Sequence, residues 1–156
     1  MSLRRKLSVY WASSCGGCEV AIVNLHEKFL KLDEPFELVF CTCLMDTKIA
    51  DVDAMPDESI AIILFNGAIR TEENEEMAHR MRRKSQLLVA FGACSFQGGI
   101  PALSNFHSRG DHFRTIYGEN ASLDNPAGVA PRPRTEVPEG NLELPVFYER
   151  VKMLAQ

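Results

Sequence analysis

Three of the five cysteines in this 156-residue chain are framed by glycine. Cys15 and Cys18 enclose Gly16-Gly17 in the run Ser13-Ser14-Cys15-Gly16-Gly17-Cys18-Glu19, and Cys94 lies within Gly92-Ala93-Cys94-Ser95-Phe96-Gln97-Gly98-Gly99-Ile100-Pro101. The thiolate is the form of cysteine that ligates a metal or attacks a disulfide, and a helix N-terminus favours it over the thiol. Glycine beside a thiol lets the backbone approach a bulky inorganic group and offer its amides to sulfur. Three soft ligands in two such loops suit an iron–sulfur cluster, which is normally held by four thiolates. Zinc would need a closed set of four ligands, with His107 or His112 downstream as the missing donor. Dithiol exchange needs no metal: Cys15 would attack a target disulfide and Cys18 resolve it, leaving Cys94 without a task.

The elements that must position these thiols follow from the hydrophobic pattern. Leu7 to Trp11 reads as a strand running into the first thiol loop, and Ile22, Val23, Phe29 and Leu30 predict one helix from Cys18 to about Leu32, with His26 within it as a surface or packing residue rather than a ligand. Phe36 to Cys43 is expected to be the second strand, with Cys41 and Cys43 on one face as buried small side chains rather than a second metal site. Asp46 to Glu58 reads as a loop with a short turn. Ser59 to Phe65 is a continuous apolar run, the mark of a parallel strand covered by helices on both faces. Thr71 is placed to cap the next helix, whose acidic residues come first and whose basic ones (Arg80, Arg82, Arg83, Lys84) come last, matching the dipole on a solvated face. Leu87 to Phe91 is a further strand, ending at the second thiol loop. Both thiol loops therefore follow strand C-termini, the edge that lines the binding crevice of an open α/β sheet. Five prolines between residues 120 and 145 predict irregular structure there, and Val146 to Gln156 resumes a helical pattern that stops without a cap.

Composition narrows the field. A hydrophobic fraction of 46% supports one core, so residues 1–156 read as a single domain in which Met1-Ser2-Leu3 carries no weight. A formal charge of -4 offers no basic field for nucleic acid. No run approaches the ~18 apolar residues of a membrane span, and there is no signal-peptide core, which predicts a cytoplasmic protein. An odd cysteine count in such a chain argues against a disulfide framework.

Together, Cys15-Gly16-Gly17-Cys18-Glu19 and Gly92 to Pro101 resemble the small, electron-transferring subunit of nickel–iron hydrogenases and the related 20 kDa subunit of NADH:ubiquinone oxidoreductase. Within that superfamily the chain is most similar to the methyl-viologen-reducing type of methanogens and other anaerobes, which works with heterodisulfide reductase. The resemblance implies an α/β, flavodoxin-like three-layer sandwich with a central parallel sheet. It implies that Cys15, Cys18 and Cys94 hold a 4Fe–4S cluster next to the nickel–iron centre of a large subunit, and that electrons pass to heterodisulfide reductase or a ferredoxin-type protein. Glu19 matches an acidic residue beside the CxxC that many members place one position later, so no role is carried over to it. The family's fourth ligand lies in a later Cys-Pro motif, and no cysteine follows Cys94 here. The chain therefore reads as ending before the last strand of that domain. The bare residues also leave two other readings: a thioredoxin-like oxidoreductase using Cys15 and Cys18, and a cluster-free flavodoxin-like binding module.

Overall fold

The apolar runs become strands β1 (Arg5–Trp11), β2 (Phe36–Cys41), β3 (Ile60–Asn66) and, after a short β4 (Ile69–Thr71), β5 (Ser85–Phe91) in the computed structural model, which describes residues 4–156. Met1-Ser2-Leu3 lies outside the described residues. Strands β1, β2, β3 and β5 form one parallel sheet in the order β2-β1-β3-β5, and the chain is an α/β protein of the flavodoxin-like kind.

Register decides which side chains share a face. Leu7 pairs with Ile62 and Ile62 with Leu87, while Tyr10 pairs with Phe65. On the Tyr10 face the core is Phe40, Ile63 and Phe65 against Val52 of α3 (Ile49–Ala54) and Met77 and Met81 of α4 (Glu72–Lys84). Ile63, Phe65, Val52 and Met81 are fully buried, each side chain of that size contributing about 1.5–3 kcal/mol of transfer free energy.

The other face is covered unevenly. Helices α1 (Gly17–Val23) and α2 (Glu27–Leu30) pack Ile22 and Phe29 near Leu7, Val9 and Leu38, around an apolar cleft of about 510 Å³. No long helix follows β5 to return over its neighbours, so Leu87 is 54% exposed. The helices on each side of the sheet that the run Ser59 to Phe65 predicts are present, but they leave part of β5 uncovered.

Several boundaries differ from the sequence reading. The single helix expected to Leu32 is two, because His26 takes a positive φ of 50° between α1 and α2, and Leu32 lies in a 3₁₀ turn. Strand β2 ends at Cys41, whose carbonyl accepts from the amides of Leu44 and Met45 in a tight turn. Cys41 is therefore buried and Cys43 exposed, not two buried residues on one face. The Pro-rich segment holds a small hairpin, β6 (Arg134–Val137) with β7 (Gly140–Glu143). The last segment is a strand, β8 (Phe147–Lys152), antiparallel to β4, and not the expected helix. Its β-branched and aromatic residues find a partner edge in Ile69–Thr71, and that tertiary pairing overrides the helical spacing.

Thr71 caps α4 as expected: its Oγ1 accepts from the Asn74 amide at 3.2 Å, and Asn74 Oδ1 accepts in return from the Thr71 amide at 3.3 Å. The basic end of α4 is only half a solvated face. Arg80 Nε donates to Asp53 at 2.8 Å and the buried Lys84 reaches Asp57 at 3.0 Å and the Asp53 carbonyl at 3.0 Å, fastening α4 to the end of α3 and the connection that follows it, while Arg82 and Arg83 remain outside.

Candidate functional site

At the C-terminal edge of the sheet, β1 runs out into Ala12-Ser13-Ser14-Cys15-Gly16. The Ala12 amide donates to the Asn66 carbonyl at 2.7 Å, and Ser13 forms an isolated antiparallel bridge with Ala68, so the loop is laced to the turn after β3. Gly67 there has φ +104°, and a Cβ on it would lie 2.7 Å from the Ala12 carbonyl carbon, which accounts for Asn66-Gly67 at this point. Gly16, at φ +79°, opens α1 and brings Cys18 onto its first turn, with Cys15 just before it.

The second thiol loop is partly helical. α5 (Ala93–Gln97) follows β5 directly, with Gly92 before it and Gly98 closing it through the bond from its amide to the Cys94 carbonyl at 3.0 Å. Cys94 is 6% exposed, Cys18 half-buried and Cys15 exposed, and all three are free thiols.

The glycines stand against the sulfurs. A Cβ on Gly92 would fall 2.2 Å from Cys18 Sγ, one on Gly99 2.8 Å from Cys94 Sγ, and one on Gly17 3.4 Å from Cys15 Sγ. The contact at Gly92 joins the two loops, because Gly92 stands two residues before Cys94 and touches the thiol of the other loop. Electrostatics agree with that proximity. The Cys18 thiol is pushed up, first by burial and then by the neighbouring charges of Glu19, Cys94 and Cys15. The expected helix-terminus preference for thiolate at Cys18 is therefore outweighed: burial disfavours the charged form, Glu19 adds its charge within the first turn, and α1 is only seven residues long.

Two residues of the site, Asn66 and Glu19, are given no role by the sequence reading. Asn66, fully buried, donates through Nδ2 to Ser14 Oγ at 3.0 Å and to Glu19 Oε1 and Oε2 at 2.6 and 2.7 Å. Asn66-Gly67 marks a turn in the sequence, but only the sheet register reveals that Asn66 ends level with Trp11 and Phe91, between the two thiol loops. Glu19 is 7% exposed and makes no salt bridge among the described residues. Histidine does not complete a zinc set: His112 Nε2 lies 2.8 Å from the Ser104 carbonyl, with the His107 ring edge-on to its own. Among the described residues no three His, Cys, Asp or Glu side chains close around a single metal ion. A cluster makes a different demand, since each of its irons takes its own thiolate and the sulfurs stand apart. Soft donors, glycine-cleared space on each sulfur and a buried amide fit such a group.

Comparison with known proteins follows the same lines. The family model described as NADH ubiquinone oxidoreductase, 20 Kd subunit, matches residues 15–137. The chain belongs to this 20 kDa subunit family. The iron-sulfur subunit of the F420-non-reducing hydrogenase of Archaeoglobus profundus is 41% identical over 148 residues, covering 94% of this chain and 46% of that protein. A subunit of the F420-non-reducing hydrogenase of Methanothermobacter marburgensis is 31% identical over 84% of this chain and 41% of its own length. The delta subunit of the NAD-reducing hydrogenase HoxS of Cupriavidus necator is 26% identical, covering 95% of this chain and 68% of its own. In the crystal structure of a NAD+-reducing [NiFe]-hydrogenase in the H2-reduced state, one chain superposes with a TM-score of 0.78 at 25% identity, over 98% of this chain and 76% of that one. This member of the 20 kDa subunit family thus spans less than half the length of the first two relatives, and its relatives are subunits of hydrogenase complexes. Among the described residues no helix is long and apolar enough to cross a membrane.

Proposed function

We propose that this chain is the electron-transfer subunit of a nickel–iron hydrogenase-type complex, with Cys15, Cys18 and Cys94 as ligands of a 4Fe–4S cluster proximal to the large-subunit centre. One observation carries the reading: Gly92, from the Cys94 loop, leaves just enough room for Cys18 Sγ, where a Cβ would meet it at 2.2 Å. A dithiol exchange enzyme has no use for that contact or for Cys94.

A bound cluster supplies one-electron redox chemistry at a potential set by burial and by hydrogen bonds to sulfur. The chain contributes the rest. Cys94, buried, would anchor the group from the loop after β5, and Cys15 and Cys18 would hold it from the loop after β1, where the glycines leave the backbone near the sulfurs. The fourth ligand comes from outside this triad. Beside Cys94 the segment from α5 through the 3₁₀ turn Pro101–Phe106 exposes Phe96 (70%), Ile100, Leu103 and Phe106 (80%), an apolar patch suited to burial against the large subunit. Heterodisulfide reductase or a ferredoxin-type protein would take the electrons onward.

The test is chemical. Anaerobic reconstitution with ferrous iron and sulfide should load the chain, and Cys94→Ala should lose bound iron and acid-labile sulfide while keeping its far-ultraviolet circular dichroism. Iron in the variant equal to that of the unsubstituted chain would refute the ligand assignment.

A further inference from the structure

Asn66 holds both ends of the Cys15–Cys18 turn with one amide group. Ser14 stands directly before Cys15 and Glu19 directly after Cys18, and Asn66 Nδ2 donates to Ser14 Oγ at 3.0 Å and to the two Glu19 oxygens at 2.6 and 2.7 Å. Two N–H groups thus serve three oxygens, and Glu19 has no other side-chain partner among the described hydrogen bonds. The opposite end of the same amide lies beside Gly92, the glycine that Cys18 Sγ abuts. Asn66 Oδ1 is buried without a hydrogen-bond partner, and it lies 3.6 Å from the point over Gly92 that is itself 2.2 Å from Cys18 Sγ. A fully buried amide oxygen left unpaired is uncommon in folded proteins and calls for a reason. Here the oxygen borders the space between Cys18 and the Cys94 loop, at the end of the strand that separates β1 from β5.

We infer that Asn66 is the positioning residue of the thiol site: it sets the Cys15–Cys18 turn at the spacing Cys94 requires, and its amide dipole helps fix the potential of the group held there. This rests on the cluster reading above. A lysine or arginine against Glu19 would also neutralise a buried carboxylate, but it would place a full positive charge beside the sulfurs. A neutral amide satisfies Glu19 and leaves the field at the thiols to the carboxylate and the amide carbonyl. Asn66→Asp sets two carboxylates face to face, whereas Asn66→Asp with Glu19→Gln exchanges donor and acceptor at constant net charge.

The unsubstituted 156-residue chain, Asn66→Asp, Glu19→Gln and the double variant are reconstituted anaerobically with ferrous iron, sulfide and excess dithiothreitol. Iron, acid-labile sulfide, midpoint potential and melting temperature are measured for each. Asn66→Asp is expected to retain iron about 10-fold or more weakly, the usual cost of removing a group that orients metal ligands. The double variant is expected to recover retention to the Glu19→Gln level with a potential more negative than that variant's, because its carboxylate borders Cys18. A purely structural Asn66 would lower the melting temperature of Asn66→Asp, leave its iron retention unchanged and give the double variant the potential of Glu19→Gln, and that result overturns the inference while leaving the cluster reading intact. Should Asn66→Asp fail to fold, the double variant against Glu19→Gln decides by the potential: a more negative value supports the inference and an equal one overturns it. Failure of the unsubstituted chain to take up iron and sulfide overturns the cluster reading and this inference with it.

Discussion

Replacing Gly92 by alanine tests directly whether the two thiol loops meet. Gly92 has φ 86° and ψ 167°, a region that residues with a Cβ rarely enter, at a cost of about 1–3 kcal/mol. The new methyl would also stand 2.2 Å from Cys18 Sγ, and relieving an overlap of that kind by shifting side chain or backbone costs about 1–3 kcal/mol more. The sum, about 2–6 kcal/mol, is a large part of the 5–15 kcal/mol that stabilises an ordinary domain. The two shares separate in a double-mutant cycle. In a Cys18→Ala background the sulfur is gone, so Gly92→Ala should cost only the backbone share, giving a coupling of about 1–3 kcal/mol within the range found for touching residues. In a Cys15→Ala background the full cost should remain, since the nearest atoms to that methyl belong to Cys18 and Asn66. Urea unfolding of the metal-free, reduced proteins at fixed pH supplies the numbers. Additivity of Gly92→Ala and Cys18→Ala within about 0.5 kcal/mol would mean that Cys18 Sγ does not lie against Gly92, and the convergence of the loops would fall with it.

Two further outcomes follow from the core and from α4. Burial, and next the charge of Glu73, push the Tyr10 phenol up from 10.0 to about 12, so the folded chain holds this proton more tightly than the unfolded one. That contribution is fully present below pH 10 and is lost as the pH rises towards 12, a decline of about 2.7 kcal/mol for two units, so unfolding free energy measured across this range should fall less in Tyr10→Phe. Thr71→Ala removes the cap acceptor for the Asn74 amide and should cost about 0.5–2 kcal/mol by thermal melting, with faster amide exchange confined to the first turn of α4.

Much of this arrangement could be read from residue order. The continuous apolar run before Asn66-Gly67, the small residues after Trp11 and the capping threonine are local signals, and they located β1, β3 and α4 because periodicity and cap chemistry act over a few residues. Cys15, Cys18 and Cys94 stood out in the sequence because each lies beside its own glycines. What stayed hidden depends on contacts distant in the chain. Strand β8 spaces its apolar residues like a helix and becomes a strand only because β4, some 80 residues earlier, offers an edge. The break at His26 rests on a positive φ that no residue type there announces. Asn66 joins the site only once the register sets it level with Trp11 and Phe91, and the burial that chiefly raises the Cys18 thiol, with the charge of Cys94 that adds to it, exists only in the folded chain.

The strand order carries its own consequence. Because β3 lies between β1 and β5, the roots of the two thiol loops are separated by two strand spacings, about 9.6 Å. That width belongs to the hydrogen-bond lattice of the sheet rather than to either loop, so lengthening the loops cannot widen it and a point substitution in them cannot narrow it. Descendants of this chain are free to vary the surface of both loops, whereas a one-residue slip of β3 would turn Asn66 to the opposite face and take away the post between them. The gauge of the site is thus protected by the same rows of Ile63, Phe65 and Tyr10 that bury the core, and selection for stability alone would preserve it.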